Sequence, residues 1–187
     1  MSAVWIIAGV LAAALSWCAV TFNAFVRLRN RQREAFSGVD VQLRRRHDLV
    51  PNLVKVVQGY AGHERKTLED VTRARGAAAG AAGAGSRARE ENGLSRSLDR
   101  LLAVVEAYPD LEADQSFRKL HHDLVEIEEN IQYARRYYNG AVRDFNNRVQ
   151  QFPANLLAPL FGMRQAEFFE IESPSEREPP AVALERT

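Results

Sequence analysis

The residues of this chain whose chemistry could go beyond packing are His47, His63, His121, His122, Cys18 and Glu64. His122 and Glu126 stand four apart, so one helix face could carry both as metal ligands. A zinc site takes three or four ligands, and no spacing supplies the others, so solvent-facing polarity is the preferred reading. His63-Glu64 is not followed three residues later by the second histidine of a metallopeptidase helix. No Gly-x-Ser-x-Gly occurs, and Cys18 lies in an apolar run, so neither nucleophile template applies. The tract from Gly76 to Gly85 has four glycines, but no Gly-Lys-Ser/Thr follows it and no strand pattern precedes it. It does not read as a phosphate loop. The expectation is a protein that is not an enzyme, with no cofactor and no metal.

Two polar features exceed what a plain helical packing needs. Glu64 falls on an apolar stripe between Ala61 and Leu68. Asn130, Tyr137, Tyr138, Asn139 and Asn146 crowd the seam of a long helix, with Gly140 beside them. Buried polar groups of this kind fix the register between helices. They could instead line a small binding cleft. Register is preferred, with a ligand-sensing or enzymatic cluster around Glu64, Tyr138 and Asn139 as the alternative. Phe161 and Phe168 join the candidates, because the stretch after Pro153 is apolar enough to fold back on the body or meet a partner.

The elements that must position these residues are helical, since no stretch shows sustained alternation. From Asp114 to Phe152 the stripe reads Phe117, Leu120, Leu124, Ile127, Ile131, Ala134, Tyr138, Ala141, Phe145, Val149, Phe152. Its steps of three and four are the repeat of a supercoiled seam. Asp114 caps its start and Pro153 stops it. A second helix carries Val50, Leu53, Val57, Ala61, Leu68 and Val71, and is expected to begin at Asp48 with Pro51 in its first turn. A continuous kinked helix is the alternative. A third runs from Leu94 to Ala107, and Pro109 ends it. Residues 76–91 are expected to form a flexible Gly/Ala-rich loop or a frayed helix end. The helix rich in arginine and the acidic stretch Glu112–Asn130 are expected to pack side by side.

The first 26 residues carry no charged side chain, and Arg27, Arg29, Arg31 and Arg33 follow at alternate positions. A bilayer-crossing helix needs about 20 apolar residues, which this run exceeds. The arginines predict an N-terminus outside and a cytoplasmic body, and they also suit anionic lipid. A cleaved signal is disfavoured by the missing basic start, and a lipoprotein signal by bulky Trp17 before Cys18. Ala8, Ala12 and Ser16 offer a small-residue face for self-assembly into a homo-oligomer, a weak signal among so many alanines. With 25 basic against 24 acidic residues, bulk nucleic-acid binding is not suggested.

Several strings occur together in order: Arg29-Asn-Arg31, Glu34-Ala-Phe36, Asp40 to Val54, Tyr60 to Glu64, Glu106 to Asp110, Ala134 to Asn139, Phe145-Asn146, and Phe152-Pro153 through Phe161-Gly162. In these the chain resembles the LemA family of bacterial membrane proteins over about residues 20–170. The resemblance implies an N-terminal anchor followed by a four-helix cytoplasmic bundle. It implies no established enzyme activity, and it suggests a membrane metallopeptidase as a neighbour. The glycine-rich tract and His121-His122 depart from the family pattern, and Trp17 argues against the lipid-attachment site of some relatives.

The expected architecture is all-α: a transmembrane anchor over 1–26, an antiparallel four-helix bundle of long helices over 27–171, and a disordered tail over 172–187. The expected function is a non-catalytic scaffold in the bacterial inner membrane, its bundle docking a protein partner.

Overall fold

The computed structural model describes residues 2–170, and the tail expected to be disordered lies outside the described residues. Among these residues there are helices and no strands. Helix α1 spans Ser2–Tyr60, α2 Arg65–Gly80, α3 Ala84–Val105, α4 Pro109–Ala113 and α5 Gln115–Gln150.

α1 is continuous, contrary to the expectation of a new helix at Asp48. Pro51 lies in its interior, where it cannot donate to the carbonyl of His47 and costs about 3 kcal/mol or more. The structure supplies a substitute donor: Nε of Arg75, on α2, donates to the His47 carbonyl at 2.7 Å. A carbonyl orphaned by proline is therefore paired from the neighbouring helix, and the chain continues to Tyr60. The real break comes at Gly62-His63, so Val50, Leu53 and Val57 belong to α1 and Leu68 and Val71 to α2.

The Gly/Ala tract is also mostly helical, with only 81–83 separating α2 from α3. Alanine is the best helix former, and Ala78 and Ala88 are both buried. Gly83, at φ +80, makes the turn. Arg87 closes it by donating to the Ala81 carbonyl from Nε and Nη2, at 3.4 and 3.3 Å, while its Nη1 pairs with Asp40.

α1 and α5 run antiparallel along their length. Tyr60 bonds to Asp114 at 3.1 Å, Arg46 pairs with Glu128, Gln32 donates to Tyr138 at 3.3 Å, and Arg31 approaches Asp144 at 3.7 Å. Asp114 caps α5, accepting from the Phe117 N–H at 2.9 Å. Its carboxyl is held below the ordinary range, chiefly by that bond and further by the Tyr60 hydroxyl, against a smaller effect of burial.

The core has three parts along the rod. Farthest from the apolar end, α1, α2, α3 and α5 enclose Leu53, Val57, Val71, Leu101 and Phe117. In the middle, Val39, Leu43, Ile131, Tyr138 and Val142 pack with Phe169, which enters from the segment after α5. Next to the apolar end, Phe25 and Phe145 pack with Ala154, Ala158 and Met163. The helix α5 stops at Gln150, so Phe152 leaves the stripe and stands 74% exposed. Below Thr21 the helix α1 is bare: Val4, Val10 and Leu15 are 64–70% exposed.

Candidate functional site

The seam of α1 steps through Val39, Leu43, Arg46, Val50, Leu53 and Val57, and all six are buried. Five of these are apolar and one is a charge. Arg46 sits where a core residue belongs, and its side chain is fully buried. α3 repeats the pattern, with Glu91 on a buried face between Ala88 and Leu94. The two meet as an ion pair, and the Arg46 guanidinium also reaches Glu128 on α5 and the Ser95 hydroxyl, the latter at 3.0 Å. His47 Nε2 lies 2.8 Å from the second Glu91 oxygen.

Burial opposes ionisation of Glu91. The His47 hydrogen bond and the Arg46 charge outweigh it and hold the carboxyl below the usual glutamate range. Burial likewise opposes the Arg46 charge, but Glu128 and Glu91 raise its pKa further. An Arg46 enclosed by two carboxylates has its charge answered locally. The cluster ties α1, α3 and α5 at one level. The Arg46–Glu128 arm falls within the side-by-side packing expected of the arginine-rich helix and the acidic stretch Glu112–Asn130, whereas Glu91 falls in a segment read as loop, which hid the buried half of the cluster. The signal was present in the spacing, since Arg46 stands three residues after Leu43 and four before Val50.

A second polar group binds the chain to itself. Asn139 and Asn146, seven apart on α5, each make a two-way bond with the extended segment that follows the helix. Asn146 donates to the Ala166 carbonyl at 3.0 Å and accepts from its N–H at 2.8 Å. Asn139 does the same with Phe169, at 3.1 and 2.9 Å. Between them the Tyr138 hydroxyl donates to the Glu167 carbonyl at 2.8 Å. An asparagine amide has the donor and acceptor spacing of a peptide unit, so each replaces one strand neighbour. The segment becomes a strap that lays Phe169 into the middle core. Burial, foremost, raises the Tyr138 hydroxyl pKa.

Other candidates fall elsewhere. Glu64 occupies the residue before α2, half-buried, with no capping bond from its side chain. It stands beyond the end of α1, whereas Tyr138 contacts α1 at Gln32 and Phe36. Along the helix Phe36 and Tyr60 are roughly 36 Å apart, so Glu64 does not join Tyr138 and Asn139. Phe161 packs edge-on against Phe22 at 5.0 Å, and Phe168 is 40% exposed. Arg27, Arg29, Arg31 and Arg33 are all exposed. Arg31 stands 5.8 Å from the Tyr137 ring. His63 and His122 are exposed, and His121 stacks on Phe117 at 5.8 Å. Among the described residues no three His, Cys, Asp or Glu side chains converge as metal ligands.

A family model for the LemA family matches residues 35–184, most of the chain. The chain belongs to the LemA family. The matched span opens inside α1 at Ala35 and so takes in the Arg46–Glu91 cluster and the asparagine strap. This LemA-family chain is also similar to magnetosome protein MamQ 2 of Paramagnetospirillum magneticum, at 28% identity over 80% of the chain and 64% of the relative. Magnetosome protein MamQ of Magnetospirillum gryphiswaldense is 26% identical over 85% of the chain and 68% of that relative. The chain thus spans about two thirds of the length of the curated relatives it matches. Among the described residues one helix, α1, is long and apolar enough to cross a membrane. Together these describe a membrane-associated, all-helical protein.

Proposed function

We propose that this protein is a non-catalytic scaffold held in the membrane by the apolar part of α1, whose bundle docks a protein partner on the cytoplasmic side. The observation that carries the reading is the unbroken α1, bare at one end and the spine of the bundle at the other. A helix of 59 residues is roughly 88 Å long, so the body is fixed rigidly to the span rather than tethered by a linker. The four arginines after the span favour the cytoplasmic side for the body.

The docking surface best supported is the outer face of α5, where Tyr133 and Tyr137 are 64% and 52% exposed. Arg136 lies 4.6 Å from the Tyr133 ring, and Arg31 flanks Tyr137. Tyrosine and arginine dominate the energetics of protein interfaces. A photocrosslinker at Tyr133 or Tyr137 in living cells should give one reproducible protein adduct, and none at Gln58 near the far end. The membrane metallopeptidase suggested by the family resemblance is the first candidate to probe. The absence of an adduct at both tyrosines would falsify the docking face.

A cleft of about 520 Å³ beside Tyr138, lined by Gln32, Arg33, Phe36, Asp40 and Arg87, supports a second reading as a ligand-binding bundle. A ligand there would raise the melting temperature of the wild type and leave a Tyr138→Phe variant unmoved.

A further inference from the structure

After α5 the chain returns to the root of the bundle and leaves large apolar side chains outside. Ala154, Ala158 and Met163 are buried with Phe25 and Phe145, and they fix the segment in place. Phe152, Leu156 and Leu160, spaced four apart, are 74%, 61% and 78% exposed. No residue from Gln151 to Met163 is charged. A cluster of this kind on a body that faces water needs a cover.

The level of the segment along α1 says what that cover is. Phe161 meets Phe22, and Thr21 is only 1% exposed although the residues before it are mostly bare. Both contacts lie within the uncharged run. Thr21 is six residues before Arg27, the first charge, which is roughly 9 Å along the helix axis. Amphipathic segments lie about 5–10 Å deep, at the boundary of headgroups and acyl chains. Arg164 follows Met163 and is exposed, as are Arg27 and Arg29, and such cations suit lipid phosphates.

We propose that residues 152–161 form a foot that inserts into the interfacial layer of the bilayer beside α1, with lipid covering Phe152, Leu156 and Leu160. This rests on α1 spanning that bilayer. The molecule then touches the membrane twice, by a span and by a monotopic segment pinned against it. The foot's fixed position beside α1 orders these side chains before they meet lipid.

The test uses the full chain in vesicles of phosphatidylcholine and phosphatidylglycerol, with Cys18→Ser and single spin labels at Leu156→Cys, Leu160→Cys, Val10→Cys and Gln58→Cys. All four labelled positions are exposed, so the labels spare the packing. Oxygen collisions should exceed those of a water-soluble nickel chelate several-fold at 156 and 160, as at 10, while 58 behaves as in water. A lipid-like label at 10 with water-like labels at 156 and 160 overturns the foot and leaves the span standing. Water-like behaviour at 10 as well overturns both. Protection at 156 and 160 that vanishes as the protein is diluted with lipid makes the cover a second copy of the chain, which also overturns the lipid contact.

Discussion

At the scale of single residues, the decisive chemistry is the pairing of Arg46 with Glu91 inside the bundle. Removing one partner of a buried pair leaves a stranded charge and costs about 3–5 kcal/mol. Glu91→Gln should therefore lower the melting temperature by roughly 6–20 °C, at about 2–4 °C per kcal/mol for a chain of this size. The pH dependence has a definite sign. Glu91 has a depressed folded-state pKa, so its contribution is complete above its unfolded value of about 4.3 and is lost as pH falls through the lower folded value. The melting gap between wild type and Glu91→Gln should be constant above about pH 5 and should narrow in acid. A gap that widens in acid would contradict the assignment. The strap answers to the same logic. Asn139→Leu with Asn146→Leu deletes four hydrogen bonds of about 0.5–1.5 kcal/mol each. Limited proteolysis should then cut between 164 and 170 well before the helices open.

At the scale of elements, Pro51 shows how a neighbour can overrule a local rule. Arg75→Ala should cost about 1–3 kcal/mol, because it strands the buried His47 carbonyl. The same change in a Pro51→Ala background should cost much less, since the alanine introduced there would supply the missing N–H. Equal costs in the two backgrounds, measured by chemical denaturation, would show that Arg75 does not compensate the proline. This bond explains why the expected break at Asp48 does not occur: Arg75 lies 28 residues further on, and only the fold brings it near. The Gly/Ala tract departs from the expected loop for a related reason. Its glycines lower helix propensity, but packing of Ala78 and Ala88 and the Arg87 clasp decide the outcome. By contrast, the stripe and the Asp114 cap of α5 were legible, because each depends on residues three or four apart. Among the polar candidates, the crowding of Asn139, Tyr138 and Asn146 was visible in the sequence. Their partners, the peptide groups of 166–169, were not, because main-chain partners leave no trace in composition.

At the scale of the whole molecule, the bundle is incomplete without its last described residues. The α2–α3 pair enters the middle of the rod only through the start of α3, at Ala84 and Ala88, and Phe169 and Ala166 pack into the same part of the core. A soluble fragment ended at Pro153 should therefore expose Tyr138 and Val142 and bind a hydrophobic dye, whereas one carried through Glu170 should not. The unbroken α1 has a mechanical corollary. From Arg27 to Tyr60 it stands roughly 50 Å tall as one uninterrupted helix. A change of about 10° in inclination, the kind that bilayer thickness imposes on a spanning segment, would sweep the summit sideways by about 9 Å. Whatever is bound up there would register the state of the lipid as a displacement.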